Sequence, residues 1–466
     1  MAGNDRNHER LLEGIYRDYE EMYPKSKAAH ARAREILVDG FSHGARTVKP
    51  YPFRITAASD AHVIDLDGHT LIDYWQGHYA NILGHNPKVV RDMLIAQLEG
   101  GYGLQTGILE ERQTEFAMTL AKAVGAERVR MCTSGTLVTM YSIMLSRAFT
   151  KRRLVVKVAG GWHGANPLAL KGVHRTAEGY GEVDSMGVPA STEEDIIVTR
   201  FNDLEQLQEI FRTRGDQIAC FIFEPCVGGS GFIPATAEYM RAARELTEKH
   251  GALLILDEII TGFRFCASGV QKLYKVKPDL STFGKATGGG MPVSAVVGRA
   301  DVLDLASEAH KDRVWFQGGT FSAHPLSLTA GKTLMDYLIA HESEVYPALA
   351  EKGDRLRTGI EKVFADRGVL ARCLGYANNA IPGGSLFSIY FPLREDHYAS
   401  STEDVTDPKL CDVILQDQAL NAAMLLHGVH LAHSGRAAVS MAHTDEDIER
   451  TLEAYDAFAR RIVAGR

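Results

Sequence analysis

Apolar positions in the middle of the chain follow two alternating patterns. Short, mostly apolar runs lie at Val129–Cys132, Leu154–Val158, Ile196–Thr199, Ile218–Phe223 and Leu253–Leu256, with a further short one at Asp279–Gly284. Runs of that length read as strands buried on both faces. Between them lie stretches with apolar residues at helical spacing. One follows Cys132 and runs through Arg147; another, Thr236–His250, stops at Gly251, a residue type expected just past a helix end. Alternation of this kind to about residue 330 predicts an α/β fold: a mostly parallel sheet with helices on both faces.

The two ends of the chain read differently. Residues 9–39 form a polar helical stretch broken near Pro24, with Leu11, Leu12, Ile15, Tyr16 and Tyr19 at helical spacing. Residues Gly40 to Pro52 are a loop, and Val63–Tyr74 alternates around Asp67-Gly68 as a hairpin does. After Gly331 come long helices, a strand at Leu386–Phe391, a helix near Asp412–His427 and a last helix from near Asp445. The expected division is an N-terminal arm with a small antiparallel sheet (1–75), a large α/β domain (76–330) and a small α+β C-terminal domain (331–466).

Composition narrows the function. A chain of 466 residues can bury a large core. Its net charge of −8 favours solubility and argues against a nucleic-acid partner. No run approaches the length of a membrane-crossing helix, and Met1–Arg10 lacks the apolar core of a signal peptide. The cysteines, Cys132, Cys220, Cys226, Cys266, Cys373 and Cys411, are scattered without disulfide or zinc spacing, as in a cytoplasmic protein. His427, His430 and His433 recur at a spacing that puts neighbours on opposite faces of a strand, so no metal site is expected.

Two residues carry the candidate chemistry. Asp257 closes the Leu253–Leu256 run, at the carboxyl end where open α/β sheets place ligands. Lys285 follows the next short strand and precedes Gly288-Gly289-Gly290. A lysine there suits a carbonyl-trapping amine, since desolvation lowers its pKa readily. Pyridoxal 5'-phosphate (PLP) needs such a pair: the lysine binds its aldehyde, and the aspartate keeps the pyridine ring an electron sink. The same pair also reads as a buried ion pair or as two unrelated charges.

The surrounding words add a resemblance. Leu254-Ile255-Leu256-Asp257-Glu258-Ile259-Ile260-Thr261-Gly262-Phe263-Arg264 resembles a signature of the class III aminotransferases, and Phe283-Gly284-Lys285-Ala286-Thr287-Gly288-Gly289-Gly290-Met291-Pro292 resembles their lysine segment. Within that class the chain is similar to the glutamate-1-semialdehyde 2,1-aminomutase group, from about Gly40 to the C-terminus. The resemblance implies PLP fold type I.

It also implies roles for other residues. Ser134, Gly135 and Thr136, between a strand and a helix, match a phosphate cup; the same word is also an ordinary helix cap. The family usually follows it with Glu-Ala, where this chain has Leu137-Val138. Gly161-Trp162-His163-Gly164 stands where the family has Tyr-His-Gly; Trp162 would stack on the pyridine ring, or else it is a core residue. Ile259 would contact the opposite ring face, by strand alternation from Asp257. Asn202 and Glu224 match polar groups near the cofactor, with solvated strand ends as the alternative. Ser42-His43-Gly44-Ala45-Arg46 looks like the aminomutase substrate loop, with His43 in place of a serine; Arg46 reads equally as a solvated loop residue. Gly318–Pro325 resembles a segment whose threonine, here Thr320, reaches the neighbouring subunit's cofactor, which implies a homodimer with shared sites.

Two reactions compete on this scaffold. One is amino transfer between a carboxylated amine, such as a β-amino acid, and a keto acid. The other is intramolecular transfer, as in the aminomutases. Those carry a C-terminal glutamate where this chain reads His433-Ser434-Gly435-Arg436. Ser-Gly-Arg is closer to β-amino-acid transaminases, where an arginine meets substrate carboxylate, and this with Leu137 favours the transaminase. An epimerase stays open. A PLP-sensing regulator would need a DNA-binding domain, for which the first 40 residues are too short and too acidic.

Overall fold

The computed structural model describes residues 8–465. Met1–Asn7, most of the stretch read for a signal peptide, and Arg466 lie outside the described residues. The central sheet has seven strands, in the order Arg128–Cys132, Ser294–Gly298, Leu280–Phe283, Leu253–Asp257, Ile218–Phe223, Leu154–Val158, Ile196–Thr199. The five from Leu280–Phe283 to Ile196–Thr199 pair in parallel. Ser294–Gly298, a strand absent from the sequence reading, runs antiparallel to both neighbours. The three central strands Ile218–Phe223, Leu253–Asp257 and Leu280–Phe283 are buried throughout, as strands covered on both faces are.

Helix boundaries follow local chemistry. The Thr236 hydroxyl caps the helix Ala237–His250 by accepting from Tyr239 N at 3.1 Å, and Gly251 ends it in the left-handed region. The polar N-terminal stretch breaks at Pro24 into Glu9–Met22 and Pro24–Arg34. These helices pack on the far end of the chain: the Tyr16 and Tyr23 hydroxyls donate to the carbonyls of Gln418 and Leu425, at 3.0 Å each.

One division drawn from sequence lies at 330/331. That boundary falls inside the helix Pro325–Ala340. Pro325 starts the helix because its ring fixes a helical φ. Gly331 lies within it, where a Cβ would sit 2.4 Å from the carbonyl oxygen of Thr287. The helix therefore packs directly on the turn that carries Lys285. The small N-terminal sheet also takes a strand from the other end of the chain: Val429–His430 pairs in parallel with Thr70–Asp73. The helix expected near 412–427 forms in two pieces, a π-helical Leu415–Ala419 and an α-helical Leu420–Leu425. A three-stranded sheet of Arg372–Leu374, Leu386–Tyr390 and Ala437–Ala438 completes the C-terminal region. Among the described residues no helix is long and apolar enough to cross a membrane, and all six cysteines are buried and unpaired.

Candidate active site

Three neighbouring strands end at one place and bring Glu224, Asp257 and Lys285 together. Asp257 is only 3% exposed. Its carboxylate accepts from Thr282 Oγ1 at 2.9 Å and from Ile259 N at 3.2 Å, and it faces His163 Nδ1 at 2.7 Å. Burial lowers the His163 pKa against the pull of Asp257, so the ring tends to be neutral, with its proton on Nδ1. Lys285, in a left-handed conformation just past its strand, is half-buried. Burial lowers its pKa, while Asp257 and Glu224 oppose the shift. Glu224 accepts from Trp162 N at 2.9 Å and Gly228 N at 3.1 Å. Burial first, then the charge of Asp257, pushes its carboxyl up to about 7.

Beside this floor, the helix Gly135–Thr150 begins at Ser134, whose side chain makes no capping bond. Its first-turn N–H groups are left for a ligand, and the helix dipole favours an anion there. The loop after Trp162 closes on this helix through Gly164, where a Cβ would lie 2.4 Å from Thr136 Oγ1. Ile259 corrects the argument from alternation. It lies in a turn beyond the end of the strand. Its side chain is the nearest neighbour a Cβ on Gly135 would meet, at 3.4 Å, and would lie 3.0 Å from one on Gly284.

The opposite side of the site is a mouth rich in cationic groups. His43 caps the short turn Gly44–Arg46 by accepting from Ala45 N. Arg46 Nε donates to His78 Nε2 at 3.3 Å, and the His43 and His78 rings lie 4.9 Å apart. The sequence reading missed His78. It sits on a strap, Gln76-Gly77-His78-Tyr79, in which every residue has positive φ. The non-glycine members each cost roughly 1–2 kcal/mol in that region. Asp73 pins the start of the strap by accepting from Trp75 N at 2.9 Å and Gln76 N at 3.0 Å. Burial, then His43, Arg46, Lys285 and Arg436, push His78 down to about 3. His43 is lowered too, by burial and then by Arg46. Arg436 is half-buried and donates to the carbonyls of His433 and Gly228 at 2.9 and 3.2 Å. Arg46 and Arg436 thus flank neutral imidazoles near the lysine.

Other sequence candidates fall elsewhere. Asn202 is a fastener: its amide donates to the carbonyls of Pro234 and Ser400, and its oxygen accepts from Thr236 N. That leaves it no donor for a cofactor. It follows the edge strand of the sheet, away from the central strand ends. Trp162 is 43% exposed, which removes the core-residue alternative and leaves a ring open to a ligand. Thr320 is exposed, and its carbonyl accepts from Gln105 Nε2 at 2.9 Å. His430 faces Asp73 at 2.8 Å, and the described residues hold no cluster suited to a metal.

The donor set suits PLP. The described residues place no lysine or arginine in an ion pair with buried Asp257; His163 is the partner found. A buried carboxylate held by neutral donors is a seat for a cation, which a protonated pyridine nitrogen supplies. The uncapped helix suits a phosphate, and the half-buried amine an aldehyde.

Known proteins resemble this chain over most of its length. The profile of the family "Aminotransferase class-III" matches residues 43–453. A glutamate-1-semialdehyde 2,1-aminomutase of Methanosarcina acetivorans is 32% identical over 440 residues, covering 92% of this chain and 97% of its own. Among solved structures, a β-phenylalanine aminotransferase from Variovorax paradoxus superposes with a TM-score of 0.83 at 27% identity, covering 97% of both chains. An ω-transaminase from Sphaerobacter thermophilus does so with a TM-score of 0.84 at 26% identity, covering 94% of this chain and 97% of its own.

Proposed function

Because the chain belongs to the class III aminotransferases, which are PLP-dependent enzymes, we propose that it moves an amino group from a carboxylated amine, such as a β-amino acid, to a keto acid. The observation that carries this reading is the pair of guanidiniums, Arg46 and Arg436, on the mouth that faces Lys285. A guanidinium grips a carboxylate bidentately and so fixes which substrate carbon lies over the cofactor.

PLP supplies an electron sink for the bond broken at that carbon. The N-terminus of Gly135–Thr150, with Ser134 and Thr136, holds its phosphate. Asp257 holds the proton on its ring nitrogen, and His163 and Thr282 keep that carboxylate in place. Trp162 and Ile259 cover the ring. Lys285 Nζ, its pKa lowered by burial, would take the proton from the carbon that carries the amine and return one on the way to product. Neutral His43 and His78 complete the mouth without a further charge.

The enzyme works as a cytoplasmic homodimer in this reading. The exposed Thr320 and its neighbour Phe321, 57% exposed, serve the partner's site. Size-exclusion chromatography with light scattering tests the dimer. A monomer that is fully active would refute shared sites.

Intramolecular transfer is the second reading, favoured by the aminomutase relatives. Purified holoenzyme decides between them. With candidate β-amino acids and no keto acid, its absorbance should shift to the aminated cofactor form, and added keto acid should reverse the shift. Conversion of glutamate-1-semialdehyde to 5-aminolevulinate without an acceptor, as fast as the best transamination, would replace amino transfer by isomerisation.

A further inference from the structure

Arg264 ends the Asp257–Arg264 word. It is 1% exposed, among the largest fully buried side chains. Buried charges are usually paired. This one is in no ion pair among the described residues, and its Nε has no hydrogen-bond partner. Its other nitrogens meet three neutral acceptors: Nη1 donates to Tyr79 O at 3.2 Å, and Nη2 to Ser385 Oγ at 2.8 Å and Val439 O at 3.2 Å.

Those acceptors lie on separate parts of the fold. Tyr79 ends the left-handed strap and adjoins His78. Val439 follows the strand Ala437–Ala438, which begins directly after Arg436. Ser385 precedes the strand Leu386–Tyr390, and its carbonyl accepts from Val439 N at 2.8 Å. Arg264 itself belongs to the loop that follows Asp257. Glu258 closes that loop by accepting from Thr261 Oγ1 at 2.6 Å and from Val270 N and Gln271 N at 3.0 Å each. The loop therefore holds the guanidinium at a set distance from Asp257.

We propose that Arg264 is a positioning residue that ties both arms of the substrate mouth, the His78 strap and the segment beyond Arg436, to the loop fixed on Asp257. A fork of donors can meet carbonyls of two segments at once, which an aliphatic residue of equal volume cannot do. The strap needs such a clamp: its left-handed residues persist only where surrounding contacts hold them. The Tyr79 carbonyl is the point where Arg264 takes hold.

The test uses Arg264→Met and Arg264→Lys holoenzymes, with Ser385→Ala as a milder variant that removes one acceptor. Hydrogen exchange by mass spectrometry should show faster exchange in peptides covering 74–82 and 436–441 in Arg264→Met, with the sheet peptides unchanged. Arg264→Lys should restore part of the protection. Kinetics are read on 3-amino-3-phenylpropanoate and 1-phenylpropylamine, in which a methyl replaces the carboxylate. Arg264→Met should raise KM for the acid by about tenfold relative to the amine, with a smaller change in kcat. The kinetic readout rests on the carboxylate reading above; the exchange readout does not. If wild type does not distinguish the two amines, the carboxylate reading falls and exchange alone decides on Arg264. Unchanged exchange in both segments, or a uniform rise across all peptides, would overturn the proposal. If Arg264→Met does not fold, the same two peptides in Ser385→Ala decide, and full protection there overturns it.

Discussion

The floor and the mouth of the site are built in opposite ways. On the floor, Asp257 and Glu224 close regular parallel strands, and their carboxylates are held by hydrogen bonds from Thr282, Trp162 and Gly228. At the mouth, His43, Arg46, His78 and Arg436 come from separate stretches and sit on short turns, a left-handed strap and a loop. The floor has one geometry because the sheet has one. The mouth can change residue by residue without disturbing the sheet. The contrast matches a division of labour in which chemistry stays fixed and substrate choice varies.

The sharpest way to break this contrast is at the floor. Lys285→Ala should abolish turnover, a loss of about 10⁴-fold or more, whichever substrate is offered. Borohydride reduction of wild type followed by peptide mapping should put the pyridoxyl label on Lys285, and a label on another lysine would sink the assignment. Asp257→Asn should cost about 10²–10³-fold in kcat on every substrate while the protein stays folded. Near-normal turnover in that variant would remove the ring-nitrogen role.

Substitutions at the mouth should discriminate instead. Arg46→Ala and Arg436→Ala should each cost about ten- to a hundredfold in kcat/KM for carboxylated amines and much less for carboxylate-free ones. Equal losses on both classes would erase the distinction between the two regions.

The smallest effect lies in stability and belongs again to the floor. Glu224 has a folded-state carboxyl raised from 4.5 to about 7, by burial and then by Asp257. The folded protein then holds a proton that the unfolded chain has lost. The favourable contribution is present below the ordinary value of 4.5 and disappears as pH rises through about 7. Thermal denaturation of the cofactor-free protein, compared with Glu224→Gln from pH 5 to 8, should show wild type losing ground as pH rises. A flat difference would mean that Glu224 titrates as an ordinary carboxyl.

The same contrast explains what could be read from sequence. The parallel sheet followed from continuous apolar runs, and the places of Asp257, Lys285 and Glu224 followed from strand ends. Ser294–Gly298 went unread although Val293–Val297 carries a strand's apolar signal. Asn202 shows the limit of such words: a polar pair after a strand reads alike at the sheet's centre and at its edge, and here its amide donates to the Pro234 and Ser400 carbonyls. His78 had no local signal, since periodicity cannot encode a left-handed turn. Asp73 and Arg264 impose that turn from outside it.

The strand Val429–His430, laid in parallel beside Thr70–Asp73, sets a schedule for the newborn chain. His430 faces Asp73 across 357 residues of sequence. At 5–20 residues per second a ribosome needs roughly 20–70 s to span that gap. Through that interval the first hairpin emerges without its last neighbour, and the strap that follows it has no Val439 carbonyl to share its clamp. That small sheet is completed only after nearly all of the protein has been made, which leaves a premature stop anywhere before residue 429 with an unfinished sheet edge.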